Sequence, residues 1–222
     1  LVQIDKSPQA VALYLACLRT GAAYVPINTA YTPAEVEYFL NDAQPRLFVC
    51  RPDDETVLAT VANKTAHESA HDVTVLTLGS VGDGSLMARA DAATASTEIA
   101  TPAASDIAAI LYTSGTTGRS KGAMLTQENL LSNALTLLEY WGWRSDDVLL
   151  HALPIFHVHG LFVALHCAFL SGTPVLFLPG FNADRVLASL PDATVMMGVP
   201  TFYSRLLDHP DFGADACRNM RL

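Results

Sequence analysis

The sequence predicts an α/β protein, with mainly parallel sheets covered by helices on both faces. Three observations carry that reading. Short apolar runs alternate with stretches of helical period from the first residue onward. Half of the 222 residues are apolar, enough to build a substantial core. One apolar run, residues 107–112, then breaks abruptly into a loop of glycine and hydroxyl residues.

The elements follow in order. LVQI at residues 1–4 reads as a strand, and Ser7-Pro8 opens a helix, because serine is a preferred N-cap and proline suits the first turn. Val11, Leu15 and Leu18 recur at helical spacing until Gly21 ends the helix. Residues 22–27 form a short apolar strand. Thr32 and Glu35 make a capping box for the next helix, and Pro45 separates it from a strand at 46–50. A helix at 53–67 and a strand at 73–78 complete a β-α-β-α-β-α-β order, which argues for a parallel sheet.

Residues 79–104 change character, being rich in Ala, Ser, Thr, Gly and Asp with Leu86 and Met87 the only large apolar pair. Such a stretch buries little, so it reads as a surface connection that separates a first subdomain, 1–104, from a second, 105–222. In the second, a helix at 126–140 carries Leu130, Leu131, Leu135 and Leu138 on one side. Strands at 148–151, 174–178 and 194–197 alternate with a helix at 183–190 and another from Pro200 or Thr201 to Leu207.

A net charge of −9 and a calculated pI near 5.1 argue against a nucleic-acid partner, whose phosphates need a basic face. Cys17, Cys50, Cys167 and Cys217 show no zinc spacing and read as reduced thiols of a cytoplasmic protein. The longest apolar stretch, 161–178, is interrupted by His166, Ser171, Gly172 and Pro174, unlike a membrane span. Both ends of the sequence, LVQI and RNMRL, read as strands in progress, so the chain is expected to be a piece of a longer one.

The stretch 111–125, LYTSGTTGRSKGAML, is the most informative. Residues 113–122 contain three glycines, five hydroxyl side chains and two cations, with no large apolar group. Gly115 and Gly118 can turn consecutive N–H groups toward one point, making an anion-binding concavity. Ser114, Thr116 and Thr117 add hydroxyl donors, and Lys121 adds a charge for an oxyanion. The favoured ligand is a polyphosphate. A Walker A loop places Lys directly after its last Gly, whereas Lys121 here precedes Gly122, so that pattern fails. A second stretch, LPIFHVHGL at 153–161, sets His157 and His159 among apolar residues. Taken alone, that pair reads either as a metal-binding His-x-His or as two imidazoles at the core edge, and no acidic or cysteine ligand sits nearby to complete a metal site.

The loop resembles the phosphate-binding loop of the adenylate-forming enzymes, the superfamily of acyl-CoA synthetases, luciferases and nonribosomal-peptide adenylation domains. Thr113, Ser114, Gly115, Thr116, Thr117, Gly118, Lys121 and Gly122 all fit it. One position departs: the family usually carries Pro before the Lys, and here it is Ser120, which frees one φ angle and restores one N–H. A more mobile loop is expected. Pro154, Phe156, His157 and Gly160 fit a second family motif, implying that His157 stands at the wall of the acyl pocket and controls access. By the same resemblance Met197, Gly198, Val199 and Pro200 line that pocket, with Tyr203 one helical turn further on.

The resemblance implies a two-step reaction in the large N-terminal domain of a two-domain enzyme. A carboxylate attacks the α-phosphorus of ATP, and the thiol of coenzyme A then displaces AMP, with Mg2+ spreading the phosphate charge. Lys121, Thr116 and Thr117 would hold the β and γ phosphates, and Thr116 or Thr117 would help to place the metal. Lys121 and His157 are the expected catalytic residues. The loop, the His157 stretch and MGVPTFYSRLL together look similar to the malonyl-CoA synthetases, which implies malonate as the acid and makes Arg205 a formal candidate for its distal carboxylate. The adenine-stacking Tyr-Gly-x-Thr-Glu motif, the ribose-binding Asp and the catalytic Lys of the C-terminal domain are expected outside these residues. Two other readings stay open: a ligase for a medium-chain or aryl acid, and a non-catalytic nucleotide-binding or structural α/β module.

Overall fold

The computed structural model describes residues 1–69, 72–113 and 119–222, apart from the side chains of residues 68 and 69. The chain divides into two compact units, Leu1–Gln127 and Glu128–Leu222.

In the first unit, β1 (Val2–Gln3), β2 (Leu47–Cys50) and β3 (Thr74–Thr77) form a parallel sheet in that order. Val2 lies opposite Val49, and Leu47 opposite Thr74. Helices α1 (Pro8–Thr20) and α2 (Pro33–Ala43) lie between β1 and β2, and α3 (Glu55–Ser69) lies between β2 and β3; the strand expected at 22–27 makes only single bridges, Pro26 to Val2 and Tyr24 to Ala109. Ser7 accepts a hydrogen bond from the Ala10 N–H at 3.1 Å, and Gly21 closes α1 in the left-handed region at φ 72°. At α2 both halves of the Thr32–Glu35 capping box are present.

The segment around Tyr24–Ile27 lies on the free side of β1. The Val2 N–H donates to Val25 O and the Ile27 N–H to Val2 O, both at 2.9 Å. Its other edge bonds to β4 (Ile107–Thr113): Tyr24 N–H donates to Ala108 O at 2.9 Å, and Ile110 N–H to Tyr24 O at 3.0 Å. β4 pairs antiparallel with β5 (Lys121–Thr126), a strand that the sequence pattern does not predict. Phe39, Phe48, Val36, Leu58 and Ala62 fill the core between helices and sheet.

The polar stretch 79–104 contains a short helix, α4 (Ser85–Ala92), with no buried residue, and then runs exposed past α1, where Ala100 N–H donates to Arg19 O at 2.9 Å. The compact units part between Gln127 and Glu128 rather than after residue 104. The reason is the bonding of β4 to Tyr24, which ties 107–126 to the first sheet.

The second unit holds a parallel sheet in the order β7-β6-β8, built from β6 (Leu149–His151), β7 (Val175–Phe177) and β8 (Val195–Met196). Helices α7 (Ala183–Ser189) and α8 (Pro200–Leu207) pack on its core, and α5 (Gln127–Tyr140) and α6 (His166–Ser171) complete the helices of this part of the chain. A π-helix, His159–Leu165, leads directly into α6. Leu222 runs beside β8, its N–H donating to Thr194 O and its carbonyl accepting from Met196 N–H. Leu150, Val186, Leu190, Met196 and Leu206 form the core. Among the described residues no helix is long and apolar enough to cross a membrane, and all four cysteines are free.

Candidate active site

The glycine-rich loop is rooted in the β4–β5 pair. Thr113 and Lys121 face each other across its last rung, with Tyr112 opposite Gly122 in the rung below. Both Thr113 and Lys121 are exposed. The remaining loop residues predicted to bind phosphate, Ser114, Gly115, Thr116, Thr117 and Gly118, lie outside the described residues, and so does the metal position assigned to Thr116 or Thr117.

Helix α2 supports both roots. The Tyr38 hydroxyl donates to Ser120 O at 2.6 Å, and the Tyr112 hydroxyl donates to the Asp42 carboxylate at 2.5 Å. Burial, then that carboxylate, push the Tyr112 phenol well above its usual range, so it stays a protonated donor. The Tyr112 ring sits 4.6 Å from that of Phe39, which is buried in the first core. Neither Tyr38 nor Asp42 was picked out from the sequence, where 82 residues separate Tyr38 from its partner.

The second predicted cluster lies in the other unit. His157 follows β6 in a turn that ends where the π-helix begins. Gly160 is needed there, because a Cβ would stand 2.1 Å from Pro154 O and 3.2 Å from Leu153 Cβ. The buried His151 ring, stacked on Phe177, brings Nε2 to 2.9 Å from Gly160 O; since a carbonyl only accepts, Nε2 carries the proton. His151 was missed because a histidine inside an apolar strand gives no signal of its partner.

His157 is exposed, its ring tilted 4.4 Å from that of Phe156. Partial desolvation lowers the pKa of both His157 and His159, which makes them neutral at pH 7. A neutral imidazole adds no counter-charge; it offers shape and one hydrogen-bond acceptor beside one donor. Among the described residues no group of three or more His, Cys, Asp or Glu side chains is placed to hold a metal.

Met197 is buried at the end of β8, and Val199 is the extended residue before α8, which Pro200 opens. At Gly198 a Cβ would meet Tyr203 Cζ at 3.2 Å and Phe202 at 3.3 Å, so the aromatic rings of α8 fold back on this turn. β6 and β8 are parallel neighbours, hence the His157 turn and the 197–200 turn leave the same end of one sheet. That is the end at which open α/β sheets bind ligands. Arg205 is exposed on α8. The structure thus joins His157 with 197–200 in one unit and places Thr113 and Lys121 in the other.

The AMP-binding enzyme family model matches residues 1–221. The mitochondrial malonate–CoA ligase ACSF3 of Bos taurus is 34% identical over 217 residues, covering 90% of this chain and 33% of the relative. A malonate–CoA ligase of Arabidopsis thaliana is 32% identical over 236 residues, 97% of this chain and 38% of the relative. The crystal structure of ATP-bound MatB from Rhodopseudomonas palustris superposes with a TM-score of 0.94 at 49% identity, covering 100% of this chain and 43% of that one. The chain therefore spans between a third and two fifths of the curated relatives' length.

Proposed function

We propose, from the premise that this chain belongs to the AMP-binding enzyme family, that it carries part of an ATP-dependent acid–thiol ligase whose acid is malonate. The reaction proposed is attack of a malonate carboxylate on the α-phosphorus of ATP, with loss of pyrophosphate, followed by displacement of AMP by the thiol of coenzyme A. The observation that carries the phosphate half is the position of Lys121. It opens β5 directly opposite Thr113, so its ammonium extends from the root of the loop whose sequence suits a triphosphate.

In this reading Lys121 pairs with the β and γ phosphates and stabilises charge on the departing pyrophosphate. Backbone amides and hydroxyls of residues 113–118 hold the same phosphates in register. Magnesium bound to the nucleotide would spread that charge further, with Thr116 or Thr117 the protein oxygens proposed to meet it. His157, neutral at the edge of the acid pocket, orients the attacking carboxylate without neutralising it. Met197, Gly198, Val199 and Pro200 shape the pocket wall, and Arg205 is the proposed partner of the distal carboxylate. A reducing compartment suits the four free thiols, and the cytoplasm is the proposed one.

The test is pyrophosphate release by the full-length protein with malonate, methylmalonate, octanoate and benzoate, each with and without Lys121→Ala. Malonate should be the best substrate, and the alanine variant should lose roughly tenfold to a hundredfold in kcat/KM, the worth of a charge-assisted bond. Malonate ranking last defeats the substrate assignment. Intact turnover and ATP affinity in Lys121→Ala defeat the ligase reading itself.

A further inference from the structure

We propose that Tyr38 is a positioning residue for Lys121, holding the exit of the nucleotide loop through the Ser120 carbonyl. The inference rests on the nucleotide reading above and names a residue outside both sequence motifs. Its starting point is the serine at position 120, the residue through which the chain enters β5 at Lys121. Proline restricts the backbone by its own ring; serine leaves that torsion free. An external contact does the restraining here.

The Tyr38 hydroxyl donates to Ser120 O at 2.6 Å. That carbonyl and the N–H of Lys121 belong to one planar peptide unit, so fixing the oxygen fixes the plane from which Lys121 departs. Four residues along the same helix, Asp42 accepts the Tyr112 hydroxyl at 2.5 Å. Residues i and i+4 share a helix face. One face of α2 therefore grips the chain on both sides of the loop, at the residue before Thr113 and the residue before Lys121.

The grip is itself rigid. The capping box fixes the start of α2, and Val36, Phe39 and Leu40 are buried beneath it. Tyr38 and Tyr112 both pack against that core, with their rings in edge contact at 6.3 Å. Removing the Tyr38 hydroxyl leaves this packing in place and deletes only the bond to Ser120.

The experiment is a double-mutant cycle on ATP affinity, measured by titration calorimetry on the full-length protein as wild type, Tyr38→Phe, Lys121→Ala and the double variant. Tyr38→Phe should weaken ATP binding roughly threefold to tenfold, the range of one neutral hydrogen bond, with the melting temperature and the malonate KM unchanged. In the Lys121→Ala background it should have no further effect, because the residue through which it acts is gone. Equal weakening in both backgrounds, or a lower melting temperature with unchanged affinity, overturns the inference and assigns Tyr38 to the fold alone. A wild-type protein that binds no ATP overturns the functional reading, and this inference with it; ATP binding that Tyr38→Phe leaves intact overturns the inference only.

Discussion

At Gly160 a hydrogen atom is all that fits between the π-helix and the preceding turn. A methyl group there meets the Pro154 carbonyl oxygen at 2.1 Å, and backbone cannot swing aside as a side chain can. Gly160→Ala should therefore cost at least about 1–3 kcal/mol of stability, the usual toll of overpacking, and raise the malonate KM as the His157 turn is pushed outward. Urea unfolding together with malonate kinetics checks this; a variant as stable as wild type removes the close approach from the account. Gly172 offers the contrast. Its added Cβ would touch nothing within 4 Å, so only the left-handed φ of 69° requires glycine there. The sequence identified Gly160 through its motif but not the reason for it. That reason, contact with Pro154 O and a hydrogen bond from His151, exists only once β6 and the π-helix lie against each other. The same holds for Tyr38 and Asp42, which sit on an ordinary amphipathic helix and gain meaning only from β4 and β5.

Among the elements, those with a strong period and chemical punctuation were legible. Ser7-Pro8 and Thr32 with Glu35 mark helix starts that the structure reproduces. β5 was not legible: KGAMLT has neither a branched run nor an alternating pattern, and its strand character comes from pairing with β4. The π-helix was hidden too, because an apolar run with His and Gly fits several conformations. Directly after it, α6 opens on His166, which is buried, and burial pushes its pKa down to about 4 although a bond to the Leu130 backbone pulls it upward. The sign follows from proton counting. Between pH 6.5 and 4 the unfolded chain takes a proton at this position and the folded chain refuses it, so stability falls as the pH drops through that window. The slope is about 1.4 kcal/mol per pH unit for one such group, or about 3 kcal/mol across the window. Urea midpoints at pH 7, 6, 5 and 4 should show that decline, and His166→Gln should flatten it. An equal slope in the variant would assign the acid sensitivity to other groups.

On the scale of the whole molecule, a polar stretch looks like a seam whether or not the flanking strands bond to one another; here β4 bonds back to Tyr24, and the compact units part between Gln127 and Glu128. The two compact units have separate cores, and they are secured differently. The first rests on a wide aromatic and aliphatic core around Phe39 and Phe48. The second has strands of two or three residues around a core of Leu150, Val186 and Leu206, and one buried carboxylate braces the chain beside β6 and β8. Asp147, its side chain 2% exposed, accepts from Arg221 Nε at 3.1 Å and from Arg221 Nη2. It also accepts from the Thr194 hydroxyl at 2.8 Å and the Arg144 N–H at 2.7 Å. Burial pushes this carboxyl up, but those donors together outweigh it and hold the pKa below the usual range. The stabilisation is thus present at neutral pH and lost as the pH falls through the carboxylate range. Asp147→Asn keeps the volume and leaves the Arg221 charge without its partner, a change worth about 3–5 kcal/mol for a fully buried pair. Arg221 is 24% exposed, which favours the lower end. Because Thr194 precedes β8 and Arg221 lies beside it, the damage should be local. Hydrogen exchange of the variant should speed up in β6 and β8 while β1, β2 and β3 keep their protection; equal loss in both sheets would mean that this carboxylate holds more than the sheet it touches.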